Sequence, residues 1–259
     1  MTHASLRTLT FRQLQTLAGV ALCAAACAPL SAPPPLHFHE TAGVLRRGQF
    51  ALTASAGGGV VPLDGVAVGG GGRVRVGLGA RQELGLEGTA LYVDTGSTDK
   101  DSPNYFIGKS AAYGAKLSYK ADLIPEHLAL LLGAGGSRSA TGYAAGGDLG
   151  LIASFPRPLA RVLRPYLGAR ASFALPVDRP LSDYGGPTLV GTLAPGLAIL
   201  PRPWLRIYLE VGLYAIGKNL GNPRDAMQVK PPLYIEDRAF GASGSVGVAF
   251  HLPGPGPSS

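Results

Sequence analysis

Residues 240–252 read FGASGSVGVAFHL, an alternation without a slip. Phe240, Ala242, Gly244, Val246, Val248, Phe250 and Leu252 fall on one face of an extended chain, and Gly241, Ser243, Ser245, Gly247, Ala249 and His251 on the other. Successive side chains of a strand point to opposite sides, so period two predicts a strand with one apolar face and one face of small or polar groups. The run is about twice the usual 5–6 residues of a globular strand.

The same pattern recurs back along the chain. After Trp204, residues Leu205, Ile207, Leu209, Val211 and Leu213 oppose Arg206, Tyr208, Glu210, Gly212 and Tyr214. Leu167, Ala169, Ala171 and Phe173 oppose Gly168, Arg170 and Ser172. Tyr113, Ala115, Leu117 and Tyr119 oppose Lys116, Ser118 and Lys120; Leu84, Leu86, Ala90 and Tyr92 oppose Glu83, Glu87 and Thr89; Val66, Val68, Val74, Val76 and Leu78 oppose Arg73 and Arg75. From Gly48 onward there are about ten such segments, each roughly as long as the ~9–11 residues a transmembrane strand needs.

Alternation does not say which face is outside, since a soluble lipocalin-like barrel alternates with its apolar face inward. The strand length, a polar face rich in Gly and Ser that leaves room for Arg, Lys, Glu and Tyr, and aromatics at both ends of an apolar face (Tyr143 and Phe155, Phe240 and Phe250) favour the membrane. The connections agree, with long ones expected outside (Gly57–Gly65, Thr95–Phe106, Gly136–Gly142, Pro176–Pro187, Gly217–Asp237) and mostly short ones inside (Gly79–Gln82, Asp122–Glu126, Phe155–Leu163, Pro201–Pro203). The expected fold is all-β, an antiparallel up-and-down transmembrane β-barrel of about ten strands over residues 44–252, followed by a disordered tail over 253–259.

Composition supports a folded chain. Gly 38 and Pro 22 are high, but hydrophobic residues make up 46% and charged ones only 15%, so apolar burial is available and disorder is disfavoured. The net charge of +7 is scattered, with no basic block interleaved with aromatics, which argues against nucleic acid.

Residues 1–26 read as a signal peptide: Arg7 and Arg12 precede a short apolar stretch, Leu17 to Ala26, that ends in small residues. The stretch Leu22-Cys23-Ala24-Ala25-Ala26-Cys27 resembles a bacterial lipoprotein signal, which would make Cys27 the lipidated residue; ordinary cleavage near Ala26 or Ala28 is the alternative. Both cysteines lie here, so the rest of the chain has neither disulfides nor thiol chemistry. Residues 27–43 form a Pro-rich linker, expected as a solvated tether. His37 and His39 flank Phe38 there, yet a flexible linker offers no preorganised metal site.

With RVRVGLGARQELGLEG, two strands around a tight turn, and the closing GSVGVAFHL, the chain resembles small Gram-negative outer-membrane β-barrel proteins. The closing strand is similar to their C-terminal assembly signal, although His251, Leu252 and a Pro/Gly/Ser tail follow Phe250. The resemblance implies the cell outer membrane as location, with outer-membrane lipid and the barrel-assembly machinery as partners. It implies architecture and hardly any function.

No catalytic, cofactor-binding or metal site is expected. The glycine runs 69–72 and 133–136 are not followed by Lys-Ser/Thr and a helix, so they read as strand glycines. Proteases of the omptin type share the strand count and use an Asp/His site at the outer rim. Here the outer loops carry Asp99, Asp101, Asp178, Asp183 and Asp225 but no His. Ser243, Ser245 and His251 share a face, but Ser245 and His251 stand roughly 20 Å apart along a strand.

The charges expected in the lumen are Arg73, Arg75, Glu87, Lys116, Lys120, Asp148, Arg170, Arg206 and Glu210. Paired across a filled interior they suit a structural or surface-interaction barrel. Unpaired, their basic excess would suit a narrow anion-favouring channel. A lipid-anchored soluble barrel holding an apolar ligand is the third reading.

Overall fold

The computed structural model describes residues 38–61, 65–94, 109–139, 142–155, 162–176, 188–218 and 238–252. Ten strands account for nearly all of these: β1 (Phe50–Val61), β2 (Gly65–Gly77), β3 (Gln82–Asp94), β4 (Lys109–Ile124), β5 (Leu128–Ser139), β6 (Gly142–Ser154), β7 (Leu163–Pro176), β8 (Thr188–Arg202), β9 (Leu205–Lys218) and β10 (Arg238–Leu252). Each pairs antiparallel with its neighbours in sequence, and β1 also pairs with β10, giving a closed up-and-down barrel. Closure leaves no open sheet edge, so every strand has partners on both sides.

Phe50 stands opposite Leu252 on one side and Val76 on the other. The barrel therefore begins and ends at the same rim, called here the N-terminal rim. Both register irregularities, at Asp122/Ile124 and Ile199/Arg202, lie there, where bulges commonly end pairing.

The glycine stretches expected as outer loops are largely strand. Gly57 pairs with Gly69 and Ser245, and β1 runs on to Val61. Gly136 pairs with Ala115 and Ala145, and β5 runs to Ser139. The physical reason is proximity: a Cβ at Gly57 or Gly59 would strike the neighbouring strand, so glycine here permits close approach without making a turn. The other expected outer loops fall mainly at 95–108, 177–187 and 219–237, outside the described residues.

The two faces divide by parity. Outside, Leu86, Leu117, Leu149, Leu193, Val211, Leu213 and Val246 are about half exposed and form an apolar belt. Phe50, Phe155, Trp204 and Phe250 sit near the N-terminal rim, with Trp204 stacked on Phe250 at 6.2 Å. Toward the far rim lie Tyr92, Tyr113 and Tyr143, with the Arg138 guanidinium 5.2 Å above the Tyr143 ring. Inside, most alternate positions are polar, charged or small, with a few apolar ones such as Leu131, Ile152 and Val190, and most are buried.

Candidate functional site

The lumen holds a piece of the chain itself. Before β1, Gln49 donates its backbone N–H to Arg46 O, and Gly48, at φ 76°, supplies a left-handed turn. The turn passes so close to β2 that a Cβ on Gly77 would overlap the Arg46 carbonyl. Residues 38–45 thereby fold back into the barrel, where Phe38, His39, Glu40, Thr41, Ala42 and Leu45 are all buried. The solvated-tether expectation is overturned for residues 38–43. The reason is chemical: this short stretch supplies partners for charged and polar groups that the barrel wall carries inward.

Glu40 is the centre of that match. Its Oε1 lies 2.6 Å from Arg73 Nη1, and its Oε2 lies 3.2 Å from Arg75 Nη1 and 3.1 Å from Lys120 Nζ. Lys120 also donates to Thr41 O at 2.8 Å and Gly43 O at 2.9 Å, and Arg73 donates to Phe38 O at 3.1 Å. From the opposite wall, the Glu210 carboxylate accepts the backbone N–H groups of Phe38 (2.7 Å) and His39 (3.1 Å) and the Tyr166 hydroxyl (2.7 Å). Ala42 N–H reaches Ser154 Oγ at 2.7 Å, and Leu45 N–H reaches Glu83 Oε2 at 2.8 Å. Buried backbone groups of an irregular segment need such partners, and here the wall provides them.

Packing fixes the segment's end. The Phe38 ring lies beneath the Arg170 guanidinium at 4.2 Å, a contact worth up to ~2 kcal/mol when desolvated. Gly168 and Gly150 form its floor: a Cβ at Gly168 would collide with the ring, and one at Gly150 would just touch it at 3.5 Å. His39 holds φ 44°, uncommon for a residue with a side chain, and its Nε2 meets Ser245 Oγ at 2.6 Å. Ser245 shares a strand face with the distant His251, and the fold brings a different histidine, His39, to it. His251 stays near the N-terminal rim, its N–H on Trp204 O. The His39–Ser245 contact joins the segment to β10.

The nine charges selected from the sequence fall as follows. Arg73, Arg75, Glu87, Lys120, Asp148, Arg170 and Glu210 are buried inside, while Lys116 and Arg206 are partly buried. Arg73 pairs with Glu87 at 2.8 Å; Lys116 lies 2.8 Å from Asp148 and 3.8 Å from Glu87; Arg170 lies 3.9 Å from Asp148. Arg206 Nη1 is 3.4 Å from Thr41 Oγ1. Glu83, on the same face as Glu87, joins the network at 3.1 Å from Arg75 and 3.5 Å from Lys120. Glu40 is the member that strand parity could not supply. On the far side of His39 a cleft lined by Thr53, Ser55, Gly71, Thr89, Ser243 and Ser245 leads toward the far rim. Cys27 lies outside the described residues, and among those residues no cluster of three or more His, Cys, Asp or Glu could hold a metal.

No protein-family model matches the chain, and a search of curated proteins returns no match. Solved structures similar to it include bacterial outer-membrane barrels. An outer membrane channel from Pseudomonas putida F1 is 8% identical, with 86% of this chain and 100% of that chain covered and a TM-score of 0.46. The translocator domain of the autotransporter NalP from Neisseria meningitidis is 13% identical, covering 80% and 89% with a TM-score of 0.38. The NanC porin is 12% identical, covering 76% and 98% with a TM-score of 0.35.

Proposed function

We propose that the chain is an outer-membrane β-barrel closed from within by residues 38–43, with a structural or surface-interaction role in the cell envelope. The observation that carries the reading is the pairing of an outward apolar belt with an inward, ion-paired interior that the chain's own Glu40 completes. An apolar exterior about half exposed in water would be an aggregation hazard. Against acyl chains it is the favourable surface, and the aromatics near both rims suit the two interfaces. The soluble barrel with an apolar ligand inside is disfavoured because the inward face carries charge.

The remainder of the proposal concerns the envelope. Cys27 carries lipid, the barrel-assembly machinery inserts the chain, and the connection between β9 and β10, the longest in sequence, serves as the contact segment. No reaction is part of the proposal.

The test is heat-modifiable migration on a denaturing gel, using protein from separated outer membranes. Faster migration of the unheated sample in the outer-membrane fraction is the expected result. Release by carbonate without any mobility shift would remove the membrane reading.

A further inference from the structure

We propose that Arg73, Arg75 and Lys120 form a carboxylate-binding site on an anion path through the barrel, and that Glu40 is its tethered occupant. The proposal rests on the reading of the chain as a membrane barrel closed by residues 38–43.

The wall builds the site without help from the segment. Arg73 and Arg75 take successive inward positions on β2, and Lys120 faces them from β4. Glu87 and Glu83 on β3 hold these cations at 2.8–3.5 Å and belong to the wall itself. Those carboxylates leave the cluster basic, with three cations against two acids. Across the inward charges named above the excess is also positive, six cations against four acids, and it stays positive, six against five, with Glu40 in place.

Glu40 does not exhaust the site. It takes one nitrogen from each arginine, and its Oε2 is shared between Arg75 and Lys120. Arg75 is 4% exposed, yet its Nε and Nη2 have no hydrogen-bond partner. A guanidinium grips a carboxylate best through two parallel N–H groups, so an untethered carboxylate could use donors that Glu40 leaves idle. The segment itself is held by side-chain contacts and isolated hydrogen bonds, with no ladder to any strand, so its withdrawal would unpair no strand of the barrel.

Chemistry beside the cluster narrows the ligand. Phe38 occupies a flat niche between Arg170 and the two glycines Gly150 and Gly168. When the segment withdraws, a cationic cluster and an aromatic-sized slot are exposed together. The matching solute is a small carboxylate with a flat apolar end, and the cleft beyond His39 continues the path toward the far rim.

The experiment compares full-length protein with a Phe38→Ala/Glu40→Gln variant in planar bilayers. Membrane flotation and heat-modifiable migration are checked on both proteins. The wild type should stay closed. The variant should conduct chloride over potassium, and 3-phenylpropionate should reduce that current at about tenfold lower concentration than acetate. Adding Arg75→Gln to the variant should abolish the block and lower the selectivity. Should the double variant not fold, Phe38→Ala alone keeps the ion network and should open intermittently with the same selectivity.

A folded, floated variant that stays closed, prefers cations, or is blocked equally with Arg75→Gln would overturn the proposal and leave the barrel reading standing. Loss of flotation and of the mobility shift in the wild type itself would overturn both.

Discussion

Glu40 Oε1 lies 2.6 Å from Arg73 Nη1, both side chains are buried, and 33 residues separate them in sequence. One belongs to a short irregular segment and the other to the barrel wall. Their pairing joins the segment to the wall at the most charged point of the interior, and the consequences of breaking it are measurable.

Glu40→Gln keeps the shape and removes the charge. Arg73, Arg75 and Lys120 then lose a shared counter-ion in a buried place, where breaking one partner of a pair costs ~3–5 kcal/mol. The expected outcome is a clear drop in the urea midpoint of the folded, fast-migrating form, or release of residues 38–43 to protease with the barrel intact. Glu126→Gln is the control. Its pair with Arg164 spans 3.7 Å with Glu126 largely exposed, and such surface pairs are worth about 0–1 kcal/mol.

Gly168→Ala should destabilise by ~1–3 kcal/mol, since the added Cβ meets the Phe38 ring and a tight site tolerates overpacking poorly. Gly244→Ala, where a Cβ meets nothing within 4 Å, should be close to neutral. Combining Gly168→Ala with Phe38→Ala should recover part of the loss, because the second change removes the obstructed ring. Equal effects at positions 168 and 244 in unfolding titrations would mean that Phe38 does not sit on Gly168.

Leu149→Arg, near the middle of β6 on the outward face, should weaken insertion into lipid vesicles by ~2–4 kcal/mol, the cost of a cation in the acyl region of a barrel. Reversible folding titrations in vesicles read this directly. A value near zero would mean that the belt faces water.

The strands were legible in the sequence because each carries its own record: parity puts Val211 and Glu210 on opposite faces before any tertiary contact is known. The same parity puts Glu83 on the face of Glu87, and its part in the ion network follows from that shared face. Two things were not legible. Gly57–Gly59 looked like a loop because glycine signals turns as well as close strand approach, and only the neighbour decides which. Residues 38–43 have no periodicity at all. Their burial comes from partners as remote as Ser154, Glu210 and Ser245, with separations of 112 to 206 residues, and the adjoining prolines point to a solvated chain. A single acidic residue ahead of a barrel with a basic polar face was the available clue, and it is a weak one.

The most direct test of the account is whether residues 38–43 occupy the lumen in the outer membrane. A Cβ at Gly247 would stand 3.1 Å from His39 Cβ, slightly inside the ~3.5–4.5 Å that a disulfide requires. His39→Cys with Gly247→Cys should therefore form a bond on mild oxidation of intact outer membranes, identified by mass spectrometry of the linked peptides. A linked pair in folded, heat-modifiable protein is the result the account requires. Free thiols at both positions, in protein that still shows the mobility shift, would contradict it and leave an open barrel.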